Sequence, residues 1–245
     1  MTDKKWQVEY LRITVFPIDN TNILASELWD QYIGEEPDAV NIQKGKLDTR
    51  AVEYKNGRIV LIKQPDRIEW RYLAKPNEDE ELQFPILSDL EQELPVIKDF
   101  AHEWLKSSNN LQLKRMAFGT VLLKPVESLV NGYEYLREYL PFINPNNLSE
   151  FDYRINRHRK SKVIDDLLIN RLTRWSVASL NQVNFSIKDE GVQLKPANPA
   201  YATRLELDIN TPANRDNALP VDELVRLFDE LLEMGLELTE EGDIE

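Results

Sequence analysis

The stretch Arg67-Ile68-Glu69-Trp70-Arg71-Tyr72 decides how this chain is read. Ile68, Trp70 and Tyr72 fall on one phase; Arg67, Glu69 and Arg71 fall on the other. A period of two is that of a β-strand with one apolar face and one wet face. Strands of this kind build antiparallel sheets that are covered on one side only. Immediately upstream, Lys55-Asn56-Gly57 separates two further strand-like runs, Leu47 to Tyr54 and Arg58 to Ile62. Asn-Gly readily takes the positive φ values of a tight hairpin. Further back, Val8 to Phe16 reads as a strand ended by Pro17. Asn20 or Thr21 is then a candidate cap for a helix with Leu24, Leu28 and Tyr32 at helical spacing, stopped by Gly34.

Downstream, Asn77 to Glu81 reads as a polar, acidic loop. Ser88 with Glu91 has the spacing of a capping box, and Ile97, Phe100, Ala101 and Trp104 form an apolar helical stripe. Pro95 falls in the early turns of that helix or divides it. Ser107-Ser108-Asn109-Asn110 marks a boundary.

The same order then returns. Leu111 to Leu123 reads as a strand, and Pro125 opens a helix with Leu129, Tyr133, Leu136 and Leu140 on one face, ended by Pro141. Phe151, Tyr153 and Ile155 alternate with Asp152, Arg154 and Asn156. Trp175 to Ile187 is strand-like, with Val183, Phe185 and Ile187 on one face. Leu205, Leu207 and Ile209 alternate with Arg204, Glu206 and Asp208. Pro220 opens a closing helix with Val221, Leu224, Phe228 and Leu231 inward, and the acidic end, Glu237 to Glu245, reads as frayed. The expected class is α+β, built from two similar strand–helix–antiparallel strands–helix units. Residues 1–108 form the first unit and 109–245 the second, packed as one globular body. The antiparallel sheet carries helices on one face. On this reading Trp70, Trp104, Trp175, Leu207 and Phe228 are core residues.

Composition narrows the function classes. The chain has 245 residues and a net charge of −13. That acidity repels nucleic acid at long range and leaves only local basic patches able to bind it. The absence of Cys excludes disulfides, thiolate metal sites and a cysteine nucleophile. No apolar run is long enough to span a bilayer, so no membrane partner is expected. The start, Met1 to Trp6, lacks the apolar stretch of a signal peptide, which favours the cytoplasm.

Two segments carry a resemblance: Lys114-Arg115-Met116-Ala117-Phe118-Gly119-Thr120, and Leu205-Glu206-Leu207-Asp208-Ile209 followed by Val221 to Met234. In their order the chain resembles a sporadically distributed family of uncharacterised bacterial proteins of similar length. That family often has Arg-Tyr-Ile-Asn where this chain has Ala117-Phe118-Gly119-Thr120. The resemblance implies no activity and no site residues. The patchy distribution of the family is similar to that of mobile or defence-island genes. The duplicated order is also similar to the TATA-binding-protein-like fold, a likeness that carries no function.

His102 and His158 are the only histidines, and they lack the spacing of a zincin pair. No Gly-x-Ser-x-Gly elbow and no phosphate-cradling glycine loop is present. Glu53-Tyr54-Lys55 with Asp66 imitates a metal-nuclease set, yet it flanks a turn where charges are simply solvated. Glu206 and Asp208 share a face with Arg204, the pattern of an exposed ion-pair ladder. The sharpest feature is cationic: Arg154, Arg157, His158, Arg159, Lys160 and Lys162, followed by Arg171 and Arg174. Read as a strand end and its loop, it projects positive charge that Arg can fork onto phosphate or carboxylate. The chain's own carboxylates, an acidic protein partner, nucleic acid and a small anion are its candidate counterparts. The function expected is a non-enzymatic binding or accessory subunit of a bacterial assembly, with a defence setting suggested by the resemblance. It needs no cofactor and acts through a protein partner. A nucleic-acid-binding subunit of a ribonucleoprotein using 154–162 is the alternative, and a metal-dependent nuclease the weaker one.

Overall fold

A computed structural model describes residues 5–20, 22–75, 83–107, 111–146, 148–181, 183–188, 191–196, 199–215 and 217–243. Strand β1 (Gln7–Pro17) leads to helix α1 (Ala25–Tyr32). Then come β2 (Ala39–Gln43), β3 (Leu47–Tyr54), β4 (Gly57–Lys63), β5 (Ile68–Leu73) and helix α2 (Leu90–Ser107). Strand β6 (Leu113–Val126) is followed by α3 (Leu129–Tyr139), β7 (Asp152–Lys160), β8 (Leu168–Leu180), β9 (Val183–Lys188), β10 (Gly191–Pro196) and β11 (Ala200–Asn210). A 3-10 turn, Val221–Glu223, opens the last helix, α4 (Leu224–Glu241). Strands β9 and β10 form a separate two-stranded sheet.

The nine remaining strands form one sheet in the order β2-β3-β4-β5-β1-β6-β11-β8-β7, and every neighbouring pair is antiparallel. The seam between β1 and β6 lies near the middle. Ile13 stands opposite Phe118 and Leu11 opposite Thr120, so these side chains share a face. All four helices cover that face. One continuous core joins Trp29, Trp104, Leu136 and Phe228 from the helices to Leu11, Trp70, Phe118, Trp175 and Leu205 from the sheet. Apolar burial on this scale is the main favourable term in folding. Trp70 sits at the centre of one half, with Phe100 edge-on at 5.0 Å, Trp104 at 6.1 Å and Trp29 stacked at 6.2 Å. Trp70, Trp104, Trp175, Leu207 and Phe228 are all buried.

Helix α4 packs because its apolar residues recur at helical spacing: Leu224, Leu227, Phe228, Leu231, Leu232 and Leu238 are all buried. Its Gly235 lets the helix approach the sheet, since a Cβ there would stand 3.0 Å from the Phe118 ring.

Several sequence expectations are corrected. The first helix begins at Ala25 behind Leu24, which makes no side-chain cap, and the Asn20 amide instead donates to the Gln64 carbonyl at 2.7 Å. The Ser88 hydroxyl donates to Glu93, and Glu91, its expected capping partner, accepts from Lys5 at 2.6 Å; Glu93 is buried and also accepts from Tyr72 Oη at 3.0 Å. Pro125 lies inside strand β6, one residue before its end, and opens no helix; Ser128 caps α3, accepting from the Asn131 amide at 3.2 Å. The positive φ of the β3–β4 hairpin falls on Lys55, at 51°, and not on Gly57. Trp175 to Ile187 is not one strand: β8 stops at Leu180 and β9 belongs to the separate hairpin. The Val183, Phe185 and Ile187 side chains, like the Asn77 to Glu81 loop, lie outside the described residues. Val221 is exposed. The acidic end is ordered through Asp243: Leu238 is buried and Asp243 is bonded. Strand β2 was not expected at all; all five of its residues are exposed, so it offers no apolar alternation to read.

Candidate functional site

Helices cover only one face of the sheet, so the registers define what stands on the other. Arg71 pairs with Arg12, Arg12 with Gly119, Gly119 with Asp208, Asp208 with Leu172, and Leu172 with Asn156. Directly opposed residues share a face, so these six form one row across β5, β1, β6, β11, β8 and β7. The next row runs Leu73, Tyr10, Val121, Glu206, Arg174 and Arg154. The open face is therefore a grid of arginines and carboxylates on a rigid antiparallel floor.

Gly119 is the centre of the grid. A Cβ at this position would stand 2.2 Å from Arg12 Nε. The missing side chain lets the Arg12 guanidinium lie across β6, reaching Glu69 Oε2 at 3.2 Å and Asp208 Oδ2 at 3.7 Å. Glu69 is 3% exposed. Burial pushes its carboxyl up, but the Arg71 and Arg12 charges and hydrogen bonds from Arg71 and Thr14 outweigh it and hold the group below the usual range. Arg71 also lies over the Tyr10 ring at 4.8 Å, and Arg115 over Phe16 at 4.7 Å. Arg115 further donates to the Thr211 carbonyl at 3.0 Å and to Asn210 Oδ1 at 2.9 Å.

On β11 and β8 the expected ion-pair ladder is present. Arg204 bonds Glu206; Arg174 reaches Glu206 at 3.3 Å and Asp152 at 2.6 Å. The Arg174 hydrogen bonds hold the Asp152 carboxyl below its ordinary value. Between these pairs lies a depression of about 220 Å³ lined by Tyr10, Arg12, Arg154, Arg174, Glu206 and Asp208. At one end of the face Phe84 and Ile86 fold onto Val121, Leu123 and Ala202, and a larger cavity of about 600 Å³ opens beside them.

The basic segment is not a projecting loop. Residues 152–160 are strand β7, an edge of the sheet, and their alternation divides the cations. Arg157 and Arg159 face the helices. Arg157 binds Asp243 at 2.7 and 3.0 Å, and Arg159 binds Glu237. The Arg157 hydrogen bonds hold the Asp243 carboxyl low. Arg171 lies in the same layer, 1% exposed, with Glu237 at 3.6 Å; burial lowers its pKa. Arg154, His158 and Lys160 stand exposed on the open face. Lys162 lies beyond the strand, and its amide donates to Glu230. The structure thus gathers Arg154, His158, Lys160 and Arg174 on one face. It places Arg157, Arg159 and Arg171 on the other.

Among the described residues no group of three or more His, Asp or Glu could hold a metal. Glu53 pairs with Lys75 at 2.5 Å, and His102 Nε2 lies 2.8 Å from Asp229 Oδ1 between α2 and α4. No described helix is long and apolar enough to cross a membrane.

Sequence reasoning missed Arg12, Glu69 and Arg71 as one site. The available signal was Gly119, a glycine inside an otherwise apolar strand, which marks close approach of another group. In comparisons with known proteins, no family model matches the chain and no curated protein matches it.

Proposed function

We propose that this protein is a non-enzymatic binding or accessory subunit of a bacterial protein assembly, and that it docks its partner on the open face of the sheet. One observation carries the reading: among the described residues, the face opposite the helices is uncovered along most of its width and bears a fixed grid of paired charges around Arg12, Asp208, Glu206 and Arg174. Paired charges on strands keep one geometry, so a partner meets a pre-organised surface and loses less side-chain freedom on binding. A broad, charged, shallow face suits a macromolecule better than a small substrate, whose sites are enclosed and mostly apolar. The defence setting rests on the family resemblance alone.

The order of the strands supports internal duplication as part of this reading. Outward from the β1–β6 seam come β5, β4 and β3 on one side and β11, β8 and β7 on the other. In each half a helix follows the first strand and another closes the unit. The joined sheet then offers a partner one continuous face made from both halves.

The test is capture of partners from native lysate by the tagged protein. Wild type is compared with Arg174→Ala/Arg204→Ala on the open face and with Val130→Ser, exposed on α3. Exposed ion pairs contribute little to stability, so both variants should fold. A stoichiometric protein partner lost only from the open-face variant is expected. Equal capture by both variants, or no stoichiometric partner, overturns the proposal. The second reading is nucleic-acid binding, favoured by the exposed row of Arg154, His158 and Lys160. It predicts retention on heparin and on RNA that falls steeply with salt.

A further inference from the structure

Among the described residues, strand β7 is the outer strand of the sheet, hydrogen-bonded to β8 alone. Its ladder is regular from Asp152 opposite Ser176 to Lys160 opposite Leu168, without a bulge. The Ser161 amide continues it by donating to the Leu167 carbonyl at 2.8 Å. In an antiparallel ladder, bonded and non-bonded pairs alternate. Since Ser161 and Leu167 are a bonded pair, the bonds to β8 come from Arg159, Arg157, Ile155 and Tyr153. The backbone N–H and C=O groups of Lys160, His158, Asn156 and Arg154 therefore point outward, away from the sheet.

The same four residues carry the exposed side chains of the open face. Asn156 donates to Asn170 at 3.2 Å. Among the described residues, Arg154, His158 and Lys160 make no side-chain hydrogen bond or ion pair. Three of the four outward backbone positions thus carry the exposed side chains of Arg154, His158 and Lys160, and Arg154 lies in the field of the Asp152 carboxylate. The other side of the strand is fixed by Arg157 and Arg159 on Asp243 and Glu237, which holds the edge extended.

We infer that β7 receives a tenth strand: an extended segment of a partner protein with acidic residues at alternate positions. This deepens the open-face reading above and rests on it. Main-chain hydrogen bonds would hold such a segment, and side chains two residues apart would set its specificity. Residues i and i+2 on a strand are about 6.8 Å apart, so Asp or Glu at every second position would stand opposite Arg154, Asn156, His158 and Lys160. A second copy of this chain fits badly, because β7 against β7 sets basic side chains against one another. A polyphosphate chain has no N–H groups and would leave the outward carbonyls without donors. A charged edge can also serve simply to prevent edge-to-edge aggregation. The experiment separates these cases.

The probe is a fluorescein-labelled peptide of alternating glutamate and threonine, matched to the nine residues of β7, followed by anisotropy at low and high salt. Two controls are a peptide of the same composition with its glutamates in one block, and the alternating peptide N-methylated on every second residue, in both phases. The alternating peptide is expected to bind. The block peptide, and one of the two N-methylated phases, should lose about tenfold or more in affinity. Arg154→Ser/Lys160→Ser should weaken binding and flatten its salt dependence. Asn156→Pro, which removes an outward donor and no bond to β8, should weaken it at all salt concentrations. Equal affinity for both N-methylated phases and the parent peptide overturns the strand geometry. No binding of any peptide overturns the proposal and leaves a charged guard on the edge. Binding of a single-stranded oligonucleotide in place of the peptides overturns it in favour of nucleic acid. If the native partner is kept by Arg154→Ser/Lys160→Ser but lost by Arg174→Ala/Arg204→Ala, the open-face reading stands and this one falls.

Discussion

Glu69 offers a direct test of the grid. It is a carboxylate that burial alone would neutralise, kept ionised by two arginines and the Thr14 hydroxyl. Replacing both partners, Arg12→Met and Arg71→Met, preserves much of the apolar stem of each side chain and removes both charges. Stripping partners from a buried charge costs about 3–5 kcal/mol. Arg71 is 33% exposed on its side chain and Arg12 23%, so solvent screening discounts their share. The expected loss at pH 7.5 is therefore near the lower bound, about 3 kcal/mol. The pH dependence gives the sharper signature. In the wild type the folded pKa lies below the unfolded value of about 4.3. Its stabilising contribution is present above that unfolded value and is lost as pH falls through the folded one. In the double variant only the Thr14 hydroxyl opposes desolvation, and the folded pKa is expected to lie above the unfolded one. The penalty is then full at high pH and shrinks as pH falls from the raised pKa toward 4.3. Urea unfolding of both proteins at pH 7.5 and pH 5 measures this, and the difference between variant and wild type should be smaller at pH 5. Adding Glu69→Gln to the double variant should restore part of the loss and abolish that pH dependence. A loss under about 1 kcal/mol, or a difference that does not shrink on acidification, refutes the argument.

Two further outcomes concern the core and one turn. Trp175→Ala removes a fully buried indole stacked on Tyr139 at 5.4 Å and should cost about 3–5 kcal/mol by chemical denaturation; an unchanged midpoint would refute its place in the core. At the β3–β4 hairpin, Lys55→Gly should stabilise by up to about 1 kcal/mol because Lys55 holds φ at 51°. Gly57→Ala should destabilise, since its Cβ would stand 2.4 Å from the Leu73 carbonyl oxygen. Calorimetric shifts of the same sign for both would contradict this account.

The alternation in Arg67 to Tyr72 made β5 legible, as did the matching patterns of β4 and β11, because a central strand with a dry face writes its period into the sequence. The same pattern misled about the other phase. Glu69 reads as wet, yet it is almost fully buried, covered by arginines from its own strand and from β1. Alternation tells how many faces a strand has; it says nothing of which long side chains from neighbouring strands lie across them. Arg154 to Lys160 shows the reverse failure. Its charges suggested a loop, because an edge strand needs no apolar residue on the outer phase. The division of the cations between two faces follows from the strand period, once the segment is known to be extended. Arg171 carried no sign of burial, since its environment comes from α4, more than sixty residues later. Strand β2 has no buried residue and so no pattern to find.

The β1–β6 seam also has a consequence in time. The partner of Pro17 on β6 is Leu113, and that of Gln7 is Leu123. During synthesis the first half is complete, with its helices made, while one long side of β1 still lacks a neighbour. At about 5–20 residues per second, roughly 110 residues separate the two strands, an interval of about 5–20 seconds. For that interval the nascent chain exposes a strand carrying Leu11, Ile13 and Val15 with an unpaired edge, a natural point of engagement for a chaperone. Closure of the seam is the step that gives β1 its second neighbour and makes the nine strands one sheet.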